Sequence, residues 1–136
     1  MNNLIKNYIL SLAAAMTILS LSSCATKVPF LSSTVVPAAK GTVKIKSDKN
    51  NNYAIEINVS NLADPNRLMP PGSTYVVWLG IDNNNMRNIG QLEQNKKLNA
   101  SLETISSSKP FKVFITTENN PSTQYPSTIV LTTGNL

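Results

Sequence analysis

The sequence predicts an all-β domain, an antiparallel immunoglobulin-like β-sandwich of about seven strands. Three observations predict it. From Gly41 onward, short runs alternate apolar and polar residues with the two-residue period of a half-buried strand. Clusters of Asn, Pro, Gly and Ser separate these runs at the spacing of turns and crossovers. No stretch of that region repeats apolar residues at the helical period of 3.6.

Gly41 to Lys46 places Val43 and Ile45 on one face and Thr42, Lys44 and Lys46 on the other. Lysines so placed either solvate a face and discourage edge pairing, or address anionic lipid. Tyr53 to Val59 alternates most cleanly, with Tyr53, Ile55, Ile57 and Val59 opposite Ala54, Glu56 and Asn58. The turn-rich stretch between these two runs makes them an antiparallel hairpin. Leu62 to Ser73 contains Asp64-Pro65 and Pro70-Pro71-Gly72, whose fixed φ angles and missing N–H groups make it a structured loop. It reads as a crossover between sheets, with a binding role for Arg67 and Met69 as the alternative.

Thr74 to Asp82 is almost continuously apolar, as expected of a central strand covered on both faces. It carries Trp78, the single tryptophan, read as a core residue because no other aromatic lies nearby in register. Asp82 to Asn85 reads as a plain turn; the calcium-loop pattern, with its Gly and distal Glu, is missing. Asn88 to Glu93 and Lys97 to Glu103 read as a second hairpin. Phe111 to Glu118 and Ser127 to Thr133 supply the last two strands, separated by an irregular loop over Asn119 to Pro126.

Composition narrows the chemistry. The chain has no histidine, which removes the commonest general base and the commonest zinc ligand together. Its serines and threonines have no base in motif context, and Asp48, Asp64, Asp82, Glu56, Glu93, Glu103 and Glu118 are scattered singly. A non-catalytic protein is expected, with no catalytic residues, metal or diffusible cofactor. The net charge of +5 is mild and dispersed, without the dense basic, aromatic-interleaved patch of a nucleic-acid binder.

The amino-terminal end differs in kind. Met1 to Asn7 is short and carries Lys6; Tyr8 to Leu21 is apolar or small, the length of a signal-peptide apolar region and short of a bilayer span. Leu21, Ser22 and Ser23 then precede Cys24, the single cysteine. This tetrapeptide resembles the lipobox of bacterial lipoproteins. The resemblance implies cleavage before Cys24 and acylation of its thiol, so that covalent lipid on Cys24 holds the protein to the membrane. Residues 1–23 are then the signal peptide, and what remains is the size of one domain. Ala25 does not match the Asp that retains lipoproteins in the inner membrane, which points to an outer membrane and a periplasm-facing domain. Residues 25–40, with Pro29 and Pro37, read as a tether with a reach on the order of 50 Å. Val28, Phe30, Leu31, Val35 and Val36 leave open the alternative that part of it packs on the domain as an edge strand.

Residues 41–136 carry a second resemblance. Tyr75-Val76-Val77-Trp78-Leu79, Gly90-Gln91-Leu92, Phe111 to Glu118 and Pro126 to Gly134 occur in the order found in the extracytoplasmic carboxy-terminal domain of anti-sigma-K factors. Thr128 departs from the Gly usual in that family. The resemblance implies the sandwich fold and a place outside the cytoplasm, and it supplies no catalytic residues. It does not imply sigma-factor inhibition, because the leader is too short for a sigma-binding domain. The expected function is a lipid-anchored, sensor-like or binding module with an envelope protein as partner and no nucleic acid. The alternative is a structural lipoprotein that maintains the envelope without a discrete ligand.

Overall fold

The computed structural model describes residues 3–5 and 24–136; Leu21, Ser22 and Ser23 lie outside the described residues. Among the described residues there are eight strands: β1 (Ala25–Pro29), β2 (Lys40–Ser47), β3 (Tyr53–Ser60), β4 (Thr74–Asp82), β5 (Asn85–Leu92), β6 (Ala100–Ser106), β7 (Lys112–Glu118) and β8 (Thr128–Thr132). They form two antiparallel four-stranded sheets, ordered β1-β2-β3-β6 and β5-β4-β7-β8. The fold is an all-β sandwich, as the alternation predicts. Its first sheet takes three strands before the first crossover and one after it, where the immunoglobulin constant-type domain takes two and two.

The inner faces meet in one core. Val43, Ile45, Ile55, Ile57 and Val59 of the first sheet belong to one cluster with Tyr75, Val77, Leu79, Val113 and Ile115 of the second. Those of the first sheet are the residues that alternation assigned to one face of β2 and β3. A second, smaller core lies on the opposite face of the second sheet, where Val76, Trp78 and Phe114 are buried. Phe114 is the direct cross-strand partner of Trp78. Their rings stack with centroids 6.2 Å apart and planes 7° from parallel. An aromatic neighbour in register therefore exists, contrary to the expectation from sequence; the long stretch of chain between β4 and β7 hides it in the linear sequence.

The stretch from 25 to 40 takes the edge-strand alternative and is not an extended spacer. β1 pairs with β2 from Ala25↔Lys46 to Pro29↔Thr42. The chain then changes sheets: the Phe30 N–H bonds the Gly41 carbonyl at 2.9 Å, and the Leu31 N–H bonds the Thr132 carbonyl of β8 at 2.9 Å. Val36 and Ala39 enter the core. Burying these apolar side chains, each by roughly 1–3 kcal/mol for full burial, outweighs the freedom of a loose tether.

The expected hairpin between Asn88–Glu93 and Lys97–Glu103 is corrected. β5 pairs with β4 across the two-residue turn Asn83-Asn84, and β6 joins β3 in the other sheet. Only the single bridge Gln94↔Ala100 links the two segments. The β6 strand also starts later than predicted, because Asn95 to Asn99 is a turn. Leu62 to Ser73 is the crossover from β3 to β4, with one 3-10 turn at Pro65–Arg67.

Two turns share one design. In Asp48–Asn52 the Asp48 carboxylate accepts the N–H groups of Asn50 (2.7 Å) and Asn52 (2.9 Å). Those bonds, Asn52 first, hold its carboxyl below the usual carboxylate range. In Asn95–Asn99 the Asn95 side chain accepts from Lys97 (2.9 Å) and Asn99 (3.0 Å) in the same way. The fourth residue of each turn is left-handed: Asn51 at φ 60° and Leu98 at φ 61°. Asn tolerates that region, whereas a leucine there is strained by about 1 kcal/mol. Leu98→Asn is therefore expected to raise stability by about 1 kcal/mol, and Asn51→Leu to lower it by a similar amount, in urea denaturation. Equal stability of Leu98→Asn and wild type would contradict the shared-turn assignment.

Candidate functional site

Cys24 stands immediately before β1 and its thiol is free and exposed. The ladder of the first sheet fixes what surrounds it. One cross-strand row contains Ala25, Lys46, Ala54 and Ile105; two residues further along lies the row Lys27, Lys44, Glu56 and Glu103. Both rows face outward. Lys27, Lys44 and Lys46 thus gather on the two strands nearest Cys24, and the carboxylates of Glu56 and Glu103 sit opposite each other on the two far strands. These two glutamates were read as isolated in sequence; pairing of β3 with β6 brings them together.

At the other end of this sheet is an open groove of about 1080 Å³. Phe30, Leu31, Pro37 and Lys40 line it from the amino-terminal segment, Asn58 and Ser60 from the end of β3, Glu93, Gln94, Asn95 and Asn99 from the β5–β6 connection, and Ser101 from the start of β6. Apolar surface alternates with amide, hydroxyl and charged groups, so the groove can hydrogen-bond an extended polar partner while packing against its apolar parts. Gly41 forms part of its wall. A Cβ on Gly41 would stand 2.6 Å from the Asn58 carbonyl oxygen, so only glycine lets β2 and β3 approach this closely.

Gln94, in the groove wall, is tied to the crossover loop by a clasp. The Gln94 side-chain amide donates to the Leu62 carbonyl, and also to the Ala63 carbonyl at 3.2 Å. The Tyr75 hydroxyl donates to the same Ala63 carbonyl at 2.7 Å. Burial, and secondarily the Asp64 carboxylate, push the Tyr75 phenol up to about 12, which keeps it protonated and donating. The apolar run Thr74 to Asp82 marks Tyr75 as part of a covered strand; it gives no sign that the hydroxyl reaches back across the crossover loop.

A third region is closed. Loop 119–127 leaves β7 and folds over the outer face of the second sheet, where the Asn88 amide donates to the Pro121 and Thr123 carbonyls, both at 2.9 Å. Beneath it the Trp78 indole N–H donates to Thr116 Oγ1 (2.8 Å), and Thr116 in turn donates to Glu118 Oε1 (2.6 Å). The same carboxylate accepts the Ser127 N–H at 2.8 Å. Glu118 is buried and fully engaged in folding the loop.

The three aspartates also serve the backbone. Asp48 caps its turn, Asp64 accepts from Asn66 N–H at 3.0 Å, and Asp82 accepts from Asn84 N–H at 2.9 Å. Among the described residues, no group of three or more acidic, Cys or His side chains is placed to hold a metal ion. No helix among them is long and apolar enough to cross a membrane. The chain matches no protein-family model and no curated protein.

Tyr75 gives a signed pH dependence. Its folded value of about 12 exceeds the ordinary value near 10, so its stabilisation is complete below about pH 10 and disappears as pH rises through about 12. Tyr75→Phe is expected to cost about 1 kcal/mol at pH 7 and to lose less stability than wild type between about pH 10 and 12. Parallel alkaline losses in the two proteins, followed by urea denaturation, would refute the assignment. Gly41→Ala is expected to destabilise by about 1–3 kcal/mol through overpacking. Gly134→Ala, where a Cβ meets nothing within 4 Å, serves as the control and should stay within about 0.5 kcal/mol.

Proposed function

We propose that the mature chain begins at Cys24 and is a lipid-anchored, non-catalytic envelope lipoprotein. The observation that carries this reading is the exposed cysteine at the threshold of the first strand, following Leu21-Ser22-Ser23 and an apolar leader. Acyl chains on Cys24, at about 0.8 kcal/mol per buried methylene, anchor a protein without a membrane-spanning helix. Ala25 favours the outer membrane, with the sandwich facing the periplasm.

The module binds rather than catalyses. Asp48, Asp64, Asp82 and Glu118 are engaged in shaping turns and loops, and the chain has no histidine to act as a base. The groove at the end of the first sheet away from Cys24 is the surface for an envelope protein partner. The resemblance to the extracytoplasmic domain of anti-sigma-K factors supports a sensor-like role outside the cytoplasm, without sigma-factor binding. Nucleic acid is not a partner in this reading.

Metabolic labelling with a palmitate analogue tests the anchor. Wild-type protein is expected to carry the label and to fractionate with the outer membrane, and Cys24→Ala to carry none. Absence of label from wild type would sink the anchoring. Crosslinking from a photoreactive residue at Asn58, on the lipidated protein in cells, tests the groove: one specific envelope protein is the expected product. A Asn58 crosslink pattern indistinguishable from one placed at Asn84, in the turn after β4, would instead favour a structural lipoprotein without a discrete ligand.

A further inference from the structure

We propose that the corner of the first sheet beside Cys24 is a docking surface for an anionic phospholipid bilayer, with Lys46, Lys44 and Lys27 as its contacts. This deepens the lipoprotein reading and rests on it.

The geometry leaves no slack between the anchor and the sheet. Cys24 adjoins Ala25, whose cross-strand partner is Lys46. Paired Cα atoms in an antiparallel ladder stand roughly 4.5–5.5 Å apart. Lys46 therefore projects at the depth of the anchored residue. Lys27 and Lys44 pair with each other two residues further along, roughly 7 Å from that row, within the Debye length of about 8 Å at physiological salt. All three side chains point to the outer face, and all three residues are exposed.

Charge placement selects the occupant. Lys27 directly opposite Lys44 is a like-charge pair; Glu56 stands opposite Lys44 on its β3 side and offsets part of that repulsion, while Lys27, on the sheet edge, has no such partner and is relieved by an external anion. The row nearest the anchor, Ala25, Lys46, Ala54 and Ile105, contains no carboxylate; in the adjoining turn the Asp48 carboxylate is occupied by the Asn50 and Asn52 N–H groups and is followed by Lys49, so phosphate headgroups can approach this end. Glu56 and Glu103 lie on β3 and β6, in the second row. They tilt the domain so that its β1–β2 edge faces the bilayer and its β3–β6 side lifts away. A surface of closely spaced lysines at the level of an acyl anchor fits anionic headgroups, at roughly 5-fold in surface affinity per lysine.

The test uses the lipidated protein reconstituted into vesicles of phosphatidylcholine alone or with 30% phosphatidylglycerol. Amine-reactive labelling read by mass spectrometry gives the reaction rate of each lysine, with Lys96 and Lys97 of the β5–β6 turn as internal references. On anionic vesicles Lys27, Lys44 and Lys46 are expected to react at least about 5-fold more slowly than on neutral ones, with the protection lost in 0.5 M salt. Equal rates on the two vesicles overturn the docking. Equal protection on both assigns the lysines to contacts between copies of the chain and overturns it too. The mass of the Cys24 peptide from the same digest separates the two readings. An unacylated peptide removes the anchor and the docking with it, whereas an acylated peptide beside unprotected lysines removes the docking alone.

Discussion

An indole N–H taken out of water must find an acceptor or cost about 1–3 kcal/mol, and one side of this domain is arranged around that constraint. Trp78 lies on a central strand, on the face turned away from the other sheet. A sandwich leaves such a face to solvent. Here loop 119–127 is drawn across it, and the chain Trp78, Thr116, Glu118, Ser127 supplies the polar groups that the burial requires. One carboxylate thus satisfies a buried tryptophan through a threonine and fixes the loop that does the burying. The stack of Trp78 on Phe114 adds the apolar part of the same small core. The two halves depend on each other: without the loop the indole is exposed, and without the indole the loop has little to cover.

The other side of the domain answers a different problem, the open sheet edge. β1 lies at the edge of its sheet and β8 at the edge of the other. The segment after β1 hydrogen-bonds β8 through Leu31, so one continuous piece of chain sews the two edges together. This has a functional consequence. A stretch that would hold the domain well clear of a membrane is instead part of the sandwich. Any anchor at Cys24 then brings the sheet itself to the bilayer, with its lysines at headgroup depth. The groove is carried to the opposite end of the same sheet, about five residues of strand away, and is left open toward whatever lies beyond.

Legibility followed the range of the interactions involved. Alternation placed Val43, Ile45, Ile55 and Ile57 on inward faces, because side-chain direction in a strand is a local property. The unbroken apolar run through Trp78 announced a strand covered twice, though not what covers it. Partner choice was a different matter. Asn88–Glu93 and Lys97–Glu103 look like a hairpin in the chain, yet β5 turns back on β4, and β6 crosses to β3. Two adjacent strands with a short connection fit either arrangement locally. The decision lies in which sheet offers Leu92 and Ala100 a buried neighbour. The clasp of Gln94 and Tyr75 on residues 62 and 63 was invisible for the same reason, since both are bonds from a side chain to backbone far away in the chain.

By itself the sequence determined the fold class, the inward faces of β2 and β3, the turn at Asp48, the absence of a histidine-based site and the cysteine with its apolar leader. Each is a statement about composition or about neighbours within a few residues, where sterics and alternation leave little choice. Only the tertiary structure decided that residues 25–31 close the sandwich, that Glu56 meets Glu103, that the lysines of two strands collect beside Cys24, and that three separated segments line a groove. Those outcomes depend on register between strands. Register is set by the summed burial of whole faces, a quantity that no single stretch of chain contains.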